Sequence, residues 1–212
     1  MMTGKRITNG LMVAVVAMGV LGLTAGVSQA QDIITPTSAT ANQNGYPDND
    51  FAEIVNGVGL SGGGTSGDIL SETHATATGG NWAAFQGSPF TGDTATFALP
   101  AASTVDRVHA WPFWLGTAYN WQITSFDIEF STDGGGTFPT TISGITLDDI
   151  QATGPAGAIA VQTRAFTAQT GVTHIRFSNI GNNGGGFAGI MEVRFGGPGA
   201  APATPGTLIY GK

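Results

Sequence analysis

Short runs of alternating apolar and polar residues recur along this chain, each bounded by Gly, Asn, Asp or Pro. Alternation with a period of two is typical of half-buried β-strands, and no stretch of ten or more residues has the 3.6-residue period of an amphipathic helix. The clearest runs are residues 107–113, 125–131, 173–180 and 189–195. The pattern therefore predicts an all-β domain, an antiparallel β-sandwich or jelly roll.

Strand parity predicts which side chains of these runs are buried, because successive side chains of a strand point to opposite faces. The inward set is Val108, Ala110, Phe126, Ile128, Phe130, Ile175, Phe177, Met191, Val193 and Phe195. The opposite set is His109, Trp111, Asp127, Glu129, His174, Arg176, Glu192 and Arg194, which we expect on a solvated face. Residues 131–136, Ser-Thr-Asp-Gly-Gly-Gly, predict a tight reversal between two antiparallel strands.

The first thirty residues have the features of a secretory signal peptide. Lys5 and Arg6 precede an apolar run at residues 11–23, and Ser28 and Ala30 form a small-x-small cleavage signal. The alternative is a membrane anchor, but the run is short of the roughly 20 apolar residues that a span requires. We expect a flexible leader at residues 31–44, a sandwich at 45–196 and a disordered Gly/Pro/Ala tail at 197–212. The protein would then be secreted or extracellular, at the cell surface or in the periplasm, with no membrane span after cleavage.

Charge and residue usage argue against several classes of function. Without residues 1–30 the chain has five basic and fourteen acidic residues, a net charge of −9, which disfavours nucleic acid as a partner. The chain has no cysteine, and its three histidines lack metal-ligand spacing. No serine lies in a Gly-x-Ser-x-Gly motif, and the adjacent Asp148 and Asp149 would point to opposite faces of a strand. We therefore predict a protein that is not an enzyme.

Three segments, in this order, carry a resemblance to a known family. They are residues 52–57 (Ala-Glu-Ile-Val-Asn-Gly), residues 108–111 (Val-His-Ala-Trp) leading into residues 126–135, which end in Ser-Thr-Asp-Gly-Gly, and residues 189–195 (Gly-Ile-Met-Glu-Val-Arg-Phe). Together they resemble segments of galactose-binding-like, discoidin (coagulation factor 5/8 type C) domains. The resemblance implies an eight-stranded jelly roll whose end loops bind sugars, other glycans or sometimes lipids and proteins, without a reaction.

The same resemblance implies a structural calcium ion, Ca2+, with Asn56 and Glu192 as the predicted ligands. Asn56 stands where the family usually has Asp. Asp48, Asp50 and Glu53 are further oxygen donors nearby, but their spacing does not match an EF-hand loop.

Aromatic residues are concentrated at the end of the first predicted strand and in the segment that follows it. Three of the four tryptophans, Trp111, Trp114 and Trp121, fall within eleven residues, together with Tyr119. Aromatic side chains in a loop can stack on the apolar face of a pyranose ring, and the alternative is that they close one end of the sandwich.

Three polar residues are predicted to donate or accept hydrogen bonds beside these aromatic residues. They are His109, Asn120 and Arg176, although a solvated sheet face would explain the same residues. The sequence therefore favours a secreted, non-catalytic domain that binds a carbohydrate or glycoconjugate. The alternative is a structural or adhesive protein of the cell surface or matrix that self-associates.

Overall fold

A computed structural model describes residues 32–43, 50–151, 154–155 and 157–198 of the chain. The expected signal peptide and most of the expected tail lie outside these residues. The described strands are β1 (Asp32–Ile34), β2 (Ser38–Ala41), β3 (Ala83–Gln86), β4 (Ala95–Pro112), β5 (Ile123–Ser131), β6 (Thr140–Thr146), β7 (Gln162–Asn182) and β8 (Phe187–Gly197). Two short 3-10 helices, Phe51–Val55 and Ile69–Ser71, precede β3. No helix of the described segments has the length and apolar composition to span a membrane.

Two long strands, β4 and β7, connect the two layers of the fold. The first half of β4 pairs with β2 and with the second half of β7, which also pairs with β5. The second half of β4 pairs with β8 and with the first half of β7. The register between β4 and β7 shifts three times between residues 98 and 107 of β4, and such irregularities bend strands. In one layer β6 is an edge strand, and in the other layer β1 and β3 are edge strands that pair with β8.

The main hydrophobic core fills the space between these two layers. The ring of Phe97 on β4 lies 4.7 Å from that of Phe177 and 5.4 Å from that of Phe195. All ten side chains predicted to face inward are buried, and nine of them belong to this core. The exception is Met191, which is buried on the other face of β8 because the β4–β8 register shifts there. The predicted antiparallel β-sandwich is thus confirmed.

The outer face of the β4–β8 layer is covered by a second, smaller core. It contains Leu60, Ile69, Ala77, Trp82, Ala84, Trp111, Phe113, Ile159 and Met191. Hydrogen bonds between the backbones of His74 and Ile159, at 2.7 and 2.9 Å, join two of the covering segments. The expectation of a solvated face was wrong for His109, Trp111, Glu192 and Arg194, which are all at most 1% exposed. Alternation assigns a side chain to a face but does not show whether another segment covers that face.

The expected leader, residues 31–44, was also wrong in part, because it contains β1 and β2. Residues 32–34 pair with β8 as far as Gly197, and residues 38–41 pair with β4. Strand pairing uses backbone groups, so these short strands form with one fully buried side chain, Ala39, although Ile33, Ile34 and Ala41 are partly buried against the cores. The reversal after β5 is confirmed: Gly134 and Gly135 have φ angles of 80° and 87°, and β5 and β6 are antiparallel.

Candidate functional site in the end loops

Two loops at one end of the sandwich are fastened to each other. The loop between β4 and β5 contains residues 113–122, and the loop between β7 and β8 contains residues 183–186. The N–H of Gly185 donates to the carbonyl of Asn120 at 2.7 Å, and the N–H of Gly189 donates to the carbonyl of Trp121. The side chain of Asn182 donates to the carbonyls of Gly185, at 2.8 Å, and Phe187, at 2.5 Å. These contacts fix the position of the aromatic side chains in the first loop.

A chain of aromatic contacts leads from the second core to the surface of these loops. The ring of Phe113, which is fully buried, lies 4.7 Å from Trp82 and 5.9 Å from Trp121. Trp121 in turn lies 4.8 Å from the ring of Tyr119, edge to face, and 4.5 Å from the ring of Phe187. Tyr119 is 38% exposed. We call Tyr119, Asn120, Trp121 and Phe187 the aromatic surface.

Trp114 belongs to the same loop and is half-buried. A Cβ atom on Gly154 would lie 3.1 Å from its ring, so the indole packs directly against that backbone. The neighbouring Leu115 is 36% exposed and adds an apolar side chain to the same loop. Trp114, Tyr119, Asn120 and Trp121 all lie in the loop between β4 and β5, where Tyr119 contacts Trp121 and Trp114 packs on Gly154.

Polar groups that the sequence reasoning missed border the aromatic surface. Asn183 donates to Asp149 Oδ1 at 3.2 Å, and the backbone N–H of Gln151 donates to the same oxygen at 2.8 Å. The side-chain oxygens of Asn183 and Gln151 are buried and have no hydrogen-bond partner among the described residues. The sequence showed residues 179–186 as a Gly/Asn loop, but nothing in it indicated that this loop contacts residues 149–151.

Two of the predicted ligand-binding residues do not reach the surface. Trp111 is fully buried, and its Nε1–H donates to the carbonyl of Glu72 at 3.0 Å. His109 is also fully buried, with Nδ1 2.8 Å from Thr163 Oγ1. Burial, together with the charge of Arg107, lowers the pKa of His109 to about 4. Both side chains therefore support the fold, which corrects the expectation that they line a sugar site.

Arg176 is on the outer face of the other layer, away from the aromatic surface. Its Nε–H donates to Glu129 Oε2 at 2.6 Å, and its guanidinium lies 4.1 Å from the centre of the Phe138 ring. Ser178 donates to the second oxygen of Glu129 at 2.6 Å. Strand parity correctly predicted that Arg176 lies on an outer face. His109 and Arg176 belong to different layers, however, and the structure does not bring them together.

Asn56 and Glu192, the residues predicted to bind calcium, both make other contacts in the structure. Asn56 is exposed, and its Oδ1 accepts a hydrogen bond from the N–H of Val58 at 2.7 Å. Glu192 is fully buried, and its carboxylate is ion-paired with the guanidinium of Arg194. Among the described residues no group of three or more His, Asp or Glu side chains is arranged to hold a metal ion. Asp48 lies outside the described residues, and Asp50 caps a 3-10 helix.

Burial and hydrogen bonds set the pKa values of two buried carboxylates, Glu192 and Glu72. Burial raises the pKa of Glu192, and the charge of Arg194 and the N–H of Gly57 limit that rise. Burial opposes the ionisation of Glu72 as well, but hydrogen bonds from Ser66, Gly64 and Gly62 hold its pKa below the usual value. Both carboxylates therefore have a structural role, because they accept hydrogen bonds from the backbone of residues 57–64.

The sequence matches no protein-family model and no curated protein. The solved structures that share its fold include three with a TM-score of 0.50 or above. A truncated AlyQ with CBM32 and alginate lyase domains is 21% identical, with a TM-score of 0.53 over 83% of this chain, which spans only 36% of that protein. The CBM32 of AlyQ in complex with 4,5-unsaturated mannuronic acid is 21% identical, with a TM-score of 0.50 over 77% of this chain and 97% of that one.

The third structure is CpGH89CBM32-5 from Clostridium perfringens, in complex with GalNAc-β-1,3-galactose. It is 19% identical, with a TM-score of 0.51 over 76% of this chain and 98% of that one. These similarities confirm the galactose-binding-like jelly-roll fold that the sequence resemblance implies.

Proposed function

We propose that this protein is an exported, non-catalytic carbohydrate-binding domain that takes a glycan on the aromatic surface. The single observation that carries the proposal is the edge-to-face contact of Tyr119 and Trp121, at 4.8 Å, at the solvent end of an aromatic chain that begins in the second core. A pyranose ring has an apolar face that such a surface can cover without distortion of the protein. The shared fold with carbohydrate-binding modules supports the proposal.

The border of the surface offers hydrogen-bond acceptors to sugar hydroxyls. Asn120 is exposed, and so is Asp149, whose carboxylate accepts a hydrogen bond from Asn183 of the loop between β7 and β8. The amide of Asn120 and the carboxylate of Asp149 can both accept hydrogen bonds from sugar hydroxyls. Specificity would then come from this border, and most of the buried area from the aromatic side chains.

The charges of the domain favour an uncharged glycan over an acidic one. The described residues contain no lysine, and each of their arginines is ion-paired with an acid of the domain: Arg107 with Asp106, Arg164 with Asp148, Arg176 with Glu129, and Arg194 with Glu192. A uronate or sulfate group on the aromatic surface would approach Asp149 without a compensating cation. We therefore include in the proposal that the ligand is a neutral glycan.

Self-association, the alternative from the sequence, stays a prediction. Strand β6 is an edge of the sheet and could pair with another chain. Its burial pattern shows one buried side chain, Ile145, and its outward residues are mostly Thr, Ser and Gly. No apolar patch on this edge points to a second copy, so we base the proposal on the aromatic surface.

A glycan array of neutral and acidic glycans, probed with the purified protein, tests the proposal. We expect selective binding to neutral glycans that is lost in Tyr119→Ala. The matched control is Phe138→Ala, which removes an aromatic side chain at the other end of β5. Absence of binding to every glycan by a folded protein would refute the proposal, as would equal losses in the two variants.

A further inference from the structure

A buried arginine lies on the outer face of β8, beneath the loop of residues 57–64. Arg194 is 1% exposed, and Glu192, two residues earlier on the same face, is fully buried. The Nη1 of Arg194 donates to Glu192 Oε1 and also to the carbonyl of Val193 at 2.8 Å. The guanidinium thus neutralises a carboxylate that has no contact with water.

The loop above this pair is held by carboxylates. The N–H of Gly57 donates to Glu192 Oε2 at 3.1 Å. Glu72, which is 5% exposed, accepts from the N–H groups of Gly62 and Gly64, at 2.8 and 3.1 Å, and from the hydroxyl of Ser66. The loop backbone is therefore organised around two buried negative charges.

The guanidinium also contacts the loop itself. A Cβ atom on Gly64 would lie 3.2 Å from Nη2 of Arg194 and 2.9 Å from the Cα of Gly57, so these glycines bring the two ends of the loop together above the arginine. The buried carboxylate of Glu192 would carry a large desolvation cost without this cation. Arg194 is the one arginine of the described residues that is buried in this way.

We propose that Arg194 is the built-in cation of this domain. Its guanidinium takes the place beside Glu192 where the family resemblance implies calcium, and it holds residues 57–72 without a divalent ion. The domain would therefore fold and remain stable independently of calcium. This inference does not depend on the proposed glycan site, which lies in other loops.

Thermal unfolding of the full chain with calcium and with a chelator provides the first test. A protein that binds a metal ion only in its folded state gains stability with metal concentration. We expect the same Tm in both conditions. A Tm that rises with added calcium, or falls with the chelator, would overturn the proposal.

Variants then test whether Arg194 supplies the charge. In Arg194→Met the Glu192 carboxylate is left buried and unpaired, so we expect Tm to fall by on the order of 10 °C. The control Arg107→Met removes a partly exposed arginine that is also ion-paired, and we expect a much smaller fall.

The double variant Glu192→Gln with Arg194→Met removes both charges. It should recover part of the loss, because neither charge then remains alone. An Arg194→Met protein as stable as Arg107→Met would contradict the proposal. If Arg194→Met does not fold, the calcium and chelator comparison on the wild-type protein still decides.

Discussion

The N–H of Gly185 donates to the carbonyl oxygen of Asn120 at 2.7 Å, and this bond joins the loop between β7 and β8 to the aromatic loop between β4 and β5. The approach is so close that a Cβ atom on Gly185 would lie 2.2 Å from that oxygen and 2.6 Å from the Trp121 ring. The position of Trp121 therefore depends on a residue without a side chain in a different loop.

Gly185→Ala should displace the two loops and weaken glycan binding while the sandwich remains folded. The control is Gly186→Ala, since a Cβ atom there meets nothing within 4 Å and the change should have no effect on binding. Glycan titration followed by tryptophan fluorescence would measure both variants. Equal affinities in the two variants would show that the contact does not position the surface.

Tyr119→Ala should reduce the affinity for a neutral glycan about tenfold, which corresponds to roughly 1.4 kcal/mol of lost aromatic contact. Tyr119 is 38% exposed, so its removal should change Tm little. Calorimetric titration and a thermal scan would measure the two effects. A large fall in Tm with unchanged affinity would place Tyr119 in the fold and not in the site.

Asp149→Asn should shift the preference between acidic and neutral glycans. At about 6 Å in water a single charge repels another by about 0.7 kcal/mol, or about threefold in affinity. We expect retention on alginate relative to a neutral galactan to rise by about this factor at low ionic strength. Asp68→Asn is the control, because Asp68 is an exposed acid without a side-chain cap hydrogen bond. An equal shift in both variants would indicate a general effect of net charge.

Trp111→Phe should destabilise the protein without changing glycan affinity. The variant removes the donor that satisfies the buried carbonyl of Glu72 and leaves space in the second core, at a cost of about 2 kcal/mol or more. Urea unfolding would measure the change in the free energy of unfolding. If affinity fell while stability held, Trp111 would contribute to binding.

His109 should make stability fall at acidic pH relative to a variant that cannot titrate there. Burial and Arg107 lower its pKa from 6.5 to about 4, so the unfolded chain takes up a proton that the folded protein does not. Its contribution is full above pH 6.5 and is lost as pH falls toward 4. Between pH 7 and 4.5 the wild type should lose about 2 kcal/mol relative to His109→Gln. Urea unfolding of both proteins at the two pH values measures their free energies of unfolding. If wild type and variant differed by the same amount at both pH values, the prediction would be wrong.

The sequence by itself determined parts of four strands, β4, β5, β7 and β8, and nine of the side chains that fill the main core. Val108, Phe177 and Phe195 alternate with polar residues, and this alternation directly reflects a strand with one face in an apolar core. The grouping of Trp114, Tyr119 and Trp121 was equally readable, because all three belong to one short loop. Such local patterns predict local structure.

The tertiary structure decided what covers each face and which distant residues meet. Trp111 and Arg194 alternate as solvated residues would, but residues 57–82 cover them, and the ion pair with Glu192 removes the cost of a buried charge. Asn183 and Asp149 meet at the candidate site from loops 34 residues apart. Alternation along a strand records only the two faces of that strand, whereas contacts between loops depend on how the layers pack in three dimensions.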